Sequence, residues 1–197
     1  MSSTTSQRLR RVIVPVVVLL TGLVLSPSAS TAAKKSSFFE ETAQAFWAVP
    51  HECADGSTVE ATLLVESTRD FEAPATEDAD PTARVQYLAV CPDGTSFSWI
   101  TFGAPATITS TKNLKSVTAT GSGIARNIFG QTHEVTFDVT WRAVGPLEST
   151  VNGPGSKSKQ REATATGRVT LDDAVLVDGP ATHPTRPAPF IRVDIEK

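Results

Sequence analysis

The strongest constraint on this chain is a two-residue rhythm. Val135, Phe137, Val139 and Trp141 alternate with Thr136, Asp138, Thr140 and Arg142. Side chains of a β-strand point alternately to its two faces, so this pattern predicts a strand with one buried face. Val59, Ala61, Leu63 and Val65 alternate in the same way. So do Ala163, Ala165, Gly167, Val169 and Leu171 against Thr164, Thr166, Arg168 and Thr170. Residues 84–90 are more continuously apolar, which suits a strand covered on both faces. Further strands are expected at 96–102, 116–124, 174–177 and 190–195. The abundance of Thr and Val fits half-buried pleated surfaces.

Two turns share one local pattern: Cys53-Ala54-Asp55-Gly56-Ser57 and Cys91-Pro92-Asp93-Gly94-Thr95. Asp-Gly between apolar runs signals a hairpin, because glycine takes positive φ without strain. If the strands run up and down in order, Cys53 and Cys91 end alternate strands at the same end of the domain. A disulfide there ties two hairpins together. Two thiols are half of a tetrahedral zinc set, and His51 as a third ligand would still leave it incomplete, so pairing is the better expectation.

Other stretches read as irregular. Residues 34–44 form a lead-in, with Ser37 and Glu40 spaced as a helix capping box, passing into a strand near Ala45. The acidic segment 68–82, with Asp70, Glu72, Glu77, Asp78 and Asp80, reads as a mobile loop. It lacks the ligand spacing of a calcium-binding loop. Residues 145–160, rich in Gly, Pro, Ser and Lys, read as a second loop. The prolines of 178–189 predict an extended surface segment that delivers a last strand.

The beginning of the chain is an address. Arg8, Arg10 and Arg11 precede an apolar run of 14 residues, Val12 to Leu25, and then small residues ending in Ala32-Ala33. That order describes a secretory signal peptide over residues 1–33. The run is shorter than the roughly 20 residues of a membrane-spanning helix. Taking 33 residues from 197 leaves 164, enough for one domain with a substantial core. The chain has 18 basic and 21 acidic residues, and the signal removes three arginines and no acid. The remainder, 15 against 21, is acidic and argues against nucleic acid as a partner. The expectation is a protein exported through the cytoplasmic membrane, secreted, with no stable span after cleavage.

Catalytic motifs are not apparent. Gly-x-Ser-x-Gly is absent. His133-Glu134 has no second histidine at helical spacing. Ser156-Lys157-Ser158-Lys159 matches Ser-x-x-Lys, but without the partner motifs that chemistry needs. His133 beside Glu134 or Asp138 is the available acid–base pairing. No residue is assigned to catalysis, a cofactor or a metal. Aromatic side chains offer the remaining surface, with Trp99, Phe97 and Trp141 as the candidate binding residues.

The Arg-rich signal ending in Ala32-Ala33, the Cys53/Cys91 pair, the strand Val135–Trp141 and the run Arg161–Gly167 together resemble small secreted proteins of actinobacterial type. That group has no assigned activity, so the resemblance implies secretion and a β-rich fold and brings no site residues. The overall expectation is an all-β domain over 45–197, with seven to nine strands. Its architecture is a single antiparallel sandwich or a partly open barrel. The sandwich would be immunoglobulin-like but without the antibody pattern, since no Trp lies between the two cysteines. The leading functional expectation is a non-enzymatic module binding a protein or glycan at or outside the envelope. A hydrolase assembled from distant residues and a structural or inhibitory envelope component are the alternatives.

Overall fold

The computed structural model describes residues 37–73 and 80–196. The signal segment 1–33 and residues 74–79 lie outside the described residues. The described strands belong to one compact unit, Lys35–Lys197. They are β1 (Ser37–Glu52), β2 (Thr58–Ala73), β3 (Thr82–Val90), β4 (Ser96–Thr101), β5 (Ala104–Ser110), β6 (Ser116–Asn127), β7 (Thr132–Ala143), β8 (Glu148–Gly153), β9 (Ser156–Leu171), β10 (Ala174–Pro180) and β11 (Phe190–Glu196). A short 3-10 turn, Lys112–Leu114, precedes β6. The all-β class is as expected, with more strands than the seven to nine foreseen.

Every pairing is antiparallel, and the ladders close on themselves. The circuit runs β9–β11–β1–β2–β3–β4–β6–β7 and back to β9. β4 and β5 are two halves of one wall, both lying between β3 and β6 and broken at Phe102-Gly103. One continuous sheet thus wraps a single core, and this spares most strands the exposed edge that invites aggregation. Alternate residues point inward: Ala43, Ala45, Trp47 and Val49 from β1, Ala61, Leu63 and Val65 from β2, Val135, Phe137, Val139 and Trp141 from β7. Residues 84–90 alternate like the others, with Val85, Tyr87 and Ala89 buried, instead of being covered on both faces. Small residues let the walls approach. A Cβ added at Gly121 would lie 2.7 Å from Cζ of Phe137, its cross-strand partner.

Three irregular segments of the sequence reading are strand. Residues 37–44, expected as a short helix or an irregular lead-in, form the first half of β1. Ladders to β2 and β11 on both sides outweigh the capping-box signal. Residues 68–73, expected as the start of the acidic loop, are the end of β2. The Gly/Pro-rich loop is the β8–β9 hairpin. The proline segment is irregular only after Pro180, because its first three residues pair with β9. Asp178–Pro180 end β10, and the segment beyond is bonded to β9 at Ala181 and Pro189. It reaches β1 and β2 between them, where Ala48 N–H donates to Thr182 O at 2.9 Å and His183 Nε2 meets Thr62 Oγ1 at 3.0 Å.

The two Asp-Gly turns fold alike. Cys53 and Cys91 N–H donate to Ser57 O and Thr95 O, each at 2.8 Å. Asp55 and Asp93 carboxylates accept the Ser57 and Thr95 N–H, each at 2.9 Å. This sets both thiols at one end of the circuit, where they form the Cys53–Cys91 disulfide.

Candidate functional site

The circuit leaves different chemistry at its two ends. At the end opposite the disulfide it opens into a cup of about 330 Å³. The cup is built from inward positions of strand register. Arg69 lies opposite Glu41, Glu41 opposite Val193, and Val193 opposite Lys159, one row across β2, β1, β11 and β9. The next row outward is Phe71, Phe39 and Ile195. Directly opposed residues share a face, so both rows line one concave wall.

The cup is apolar at its sides and charged at its floor. The rings of Phe39 and Phe71 stack with centroids 4.9 Å apart. Arg69 sits 5.1 Å over the Phe71 ring, donates to Ser110 Oγ at 2.8 Å and approaches Glu41 at 3.5 Å. Glu41 is only 5% exposed. A carboxylate so buried is costly without a cationic partner, which Arg69 supplies. The far wall is the turn before β6. Asn113 (φ 62°) and Leu114 (φ 54°) both take the left-handed conformation. For leucine this is a strained backbone, and it turns the buried Leu114 side chain onto the cup.

At the other end, aromatic side chains close the circuit beside the disulfide. Tyr87 Oη and His51 Nδ1 share a hydrogen bond of 2.8 Å, Trp99 stacks on Tyr87 at 5.3 Å, and Phe97 lies 4.8 Å from His51. Burial raises the Tyr87 hydroxyl above its ordinary value. His51, Cys53 and Cys91 offer ligand atoms within 4.8 Å of one another, but the two sulfurs are bonded to each other and the metal alternative is not taken up. A shallow cleft between β4 and the β6–β7 hairpin is lined by Ser98, Gln131 and His133 with exposed Ile128 and Phe129.

Of the three expected aromatic residues, Phe97 and Trp99 line this cleft together and Trp141 does not. Trp141 is 0% exposed and Trp99 is 7% exposed, so both are core; Phe97 remains half-exposed beside His51. Their inward register decides this, since Trp141 continues the buried face of β7. The acid–base pairing also changes. His133 Nδ1 meets Asp172 Oδ2 at 2.7 Å, not Glu134 or Asp138, which point outward. Asp172 Oδ1 also accepts the Glu134 N–H at 2.8 Å, and these two bonds hold the Asp172 carboxyl below the ordinary range. This geometry orients an imidazole. No hydroxyl is hydrogen-bonded to His133 Nε2 among the described residues. Glu77 and Asp78 of the acidic segment lie outside the described residues.

Glu41, Arg69, Lys159 and Leu114 were not foreseen as site residues. The available signal was periodicity: Glu41 continues the Ala43, Ala45, Trp47 alternation, a polar residue at a core position. No protein-family model, curated protein or solved structure is significantly similar to this chain. Among the described residues no helix is long and apolar enough to cross a membrane.

Proposed function

We propose that this chain is an exported, non-catalytic binding protein that holds a small, partly apolar molecule in the cup. One observation carries the reading: an apolar-walled concavity with a buried Glu41–Arg69 pair at its floor. Protein interiors normally close such space, and ligand sites are concavities with a few placed polar groups. Export is supported by the basic and apolar segment ending at Ala33, by the disulfide and by the actinobacterial-type resemblance.

The test uses the protein collected from the medium of cells expressing the full chain. Recovery there, with a new N-terminus near Lys34, supports export; retention in the cells at full length opposes it. An environment-sensitive apolar dye should brighten on binding. Leu147→Trp, which fills the cup from a connection outside the sheet, should abolish the signal. Equal brightening by both proteins removes the cup from the reading.

A second reading keeps the expected protein or glycan partner and moves it to the disulfide end. Ile128 (75% exposed) and Phe129 (79%) sit at the hairpin tip beside Phe97. Exposed apolar clusters of this kind favour a protein partner over a glycan. Ile128→Ser with Phe129→Ser should then abolish retention on envelope fractions and leave dye binding intact.

A further inference from the structure

Resting on the cup as the binding site, we propose that its ligand is a small organic anion with an apolar body, of the medium-chain carboxylic acid class. The whole chain carries net charge −3, yet the inward face at this end is cationic. Lys157, Lys159 and Arg161 stand opposite Ile195, Val193 and Ile191, so three successive positions on the core side of β9 carry positive charge. Alternation in a strand predicts apolar residues there, and charge on a core face needs compensation.

Part of that charge is already committed. Arg161 Nη1 donates to the Gly145 carbonyl at 3.1 Å, and Arg69 is held by Glu41 and Ser110. Lys159 and Lys112, which both line the cup, have no carboxylate within ion-pair distance among the described residues. A single anionic head between them would supply the missing countercharge. A cation would face two ammonium groups, with Glu41 already engaged by Arg69.

The walls set the rest of the ligand. A fully polar anion would meet the lysines but leave the Phe39–Phe71 stack and Leu114 without an apolar partner. A polyphosphate would bring more charge than two lysines match. The volume is at the low end for ligand sites, roughly 300–1,000 Å³. A single short acyl chain or ring with one carboxylate satisfies all three conditions.

Octanoate, 1-octanol and octylamine share one body and differ in head charge, so calorimetric titration of each into the secreted protein tests the sign. Octanoate should bind about tenfold more tightly than octanol, the gain of one charge-assisted contact, and octylamine should bind most weakly. Lys159→Met should reduce octanoate to the level of octanol, and Lys159→Arg should restore the preference. Lys112→Met, on the exposed rim, should weaken octanoate several-fold, and this variant guards against a folding defect at position 159. Arg168→Gln, outside the cup, should change nothing. Octanol binding as tightly as octanoate, or octylamine binding best, overturns the anion assignment and leaves the cup as a site. The same holds if the apolar dye binds and no octyl compound does. If neither dye nor octyl compound binds the folded protein, the cup reading falls as well.

Discussion

Glu41 lies directly opposite Arg69 in the β1–β2 ladder, and their side chains meet at 3.5 Å on the floor of the cup. The pair explains how a carboxylate survives at an inward position that would otherwise hold an aliphatic residue. Removing one member of a buried pair leaves the other inadequately compensated, at a cost of about 3 kcal/mol. Arg69→Met should therefore lower the urea midpoint strongly. Glu41→Leu combined with Arg69→Met should recover most of the loss, because both charges leave together. A double variant no more stable than Arg69→Met would show that the two residues act independently.

The disulfide joins the ends of β1 and β3, which are not hydrogen-bonded neighbours, across a separation of 38 residues. Cross-linking restricts the unfolded chain, and a loop of this length predicts a contribution of roughly 3–4 kcal/mol. Cys53→Ser with Cys91→Ser should lose about that much in guanidinium unfolding. The cup lies at the opposite end of the circuit, so dye binding by the fraction still folded should be unchanged.

The strands that build the core were legible because their inward residues are apolar and their outward residues polar. Val135–Trp141 and Ala163–Leu171 needed no further information. The cup was not legible, and the reason is physical. Val193 and Ile195 lie in an expected strand, but the residues opposite them come from 37–44, 68–73 and 145–160, which read as lead-in or loop. In each, polar residues occupy inward positions: Glu41, Arg69 and Lys159 interrupt the rhythm that marks a strand. Leu114 was hidden differently, in a turn that a leucine disfavours. Local rules fail where a structure gives up stability for a site, so these departures coincide with the cup. Trp99 and Trp141 mark the converse limit. Sequence supplied two rings of binding type, and only register shows that they face the core.

Gly121 faces Phe137 across the β6–β7 ladder, and a Cβ there would come within 2.7 Å of the ring and closer still to the Pro105 carbonyl. The carbonyl belongs to backbone and cannot rotate away. Gly121→Ala should cost about 1–3 kcal/mol through overpacking, read as a lowered melting temperature. Pairing it with Phe137→Leu should return only part of the loss, since the carbonyl clash remains. Full rescue by that second change would place the whole conflict in the ring.

Two carboxylates should bend the pH dependence of stability in opposite directions. Asp172 is held low first by its hydrogen bond to His133 and then by the Glu134 N–H. Its folded-state pKa lies below the unfolded one, so its contribution is present above the ordinary aspartate value and is lost as pH falls through the lower, folded-state value. Glu40 is the reverse case. Desolvation raises it first, followed by Asp70 and Asp194, which flank it in register on the outer face of β2, β1 and β11. A raised folded-state pKa favours the protonated form. Its contribution is therefore present below the ordinary glutamate value and is lost as pH rises through the higher, folded-state value. Glu40→Gln removes that penalty, so it should raise the melting temperature at about pH 7 and have little effect at about pH 3. Asp172→Asn keeps a residue suited to the left-handed turn (φ 48°). It should lower the melting temperature at about pH 7 and leave it nearly unchanged at about pH 3. Parallel shifts at both pH values for either variant would mean that the carboxyl charge is not what the residue contributes.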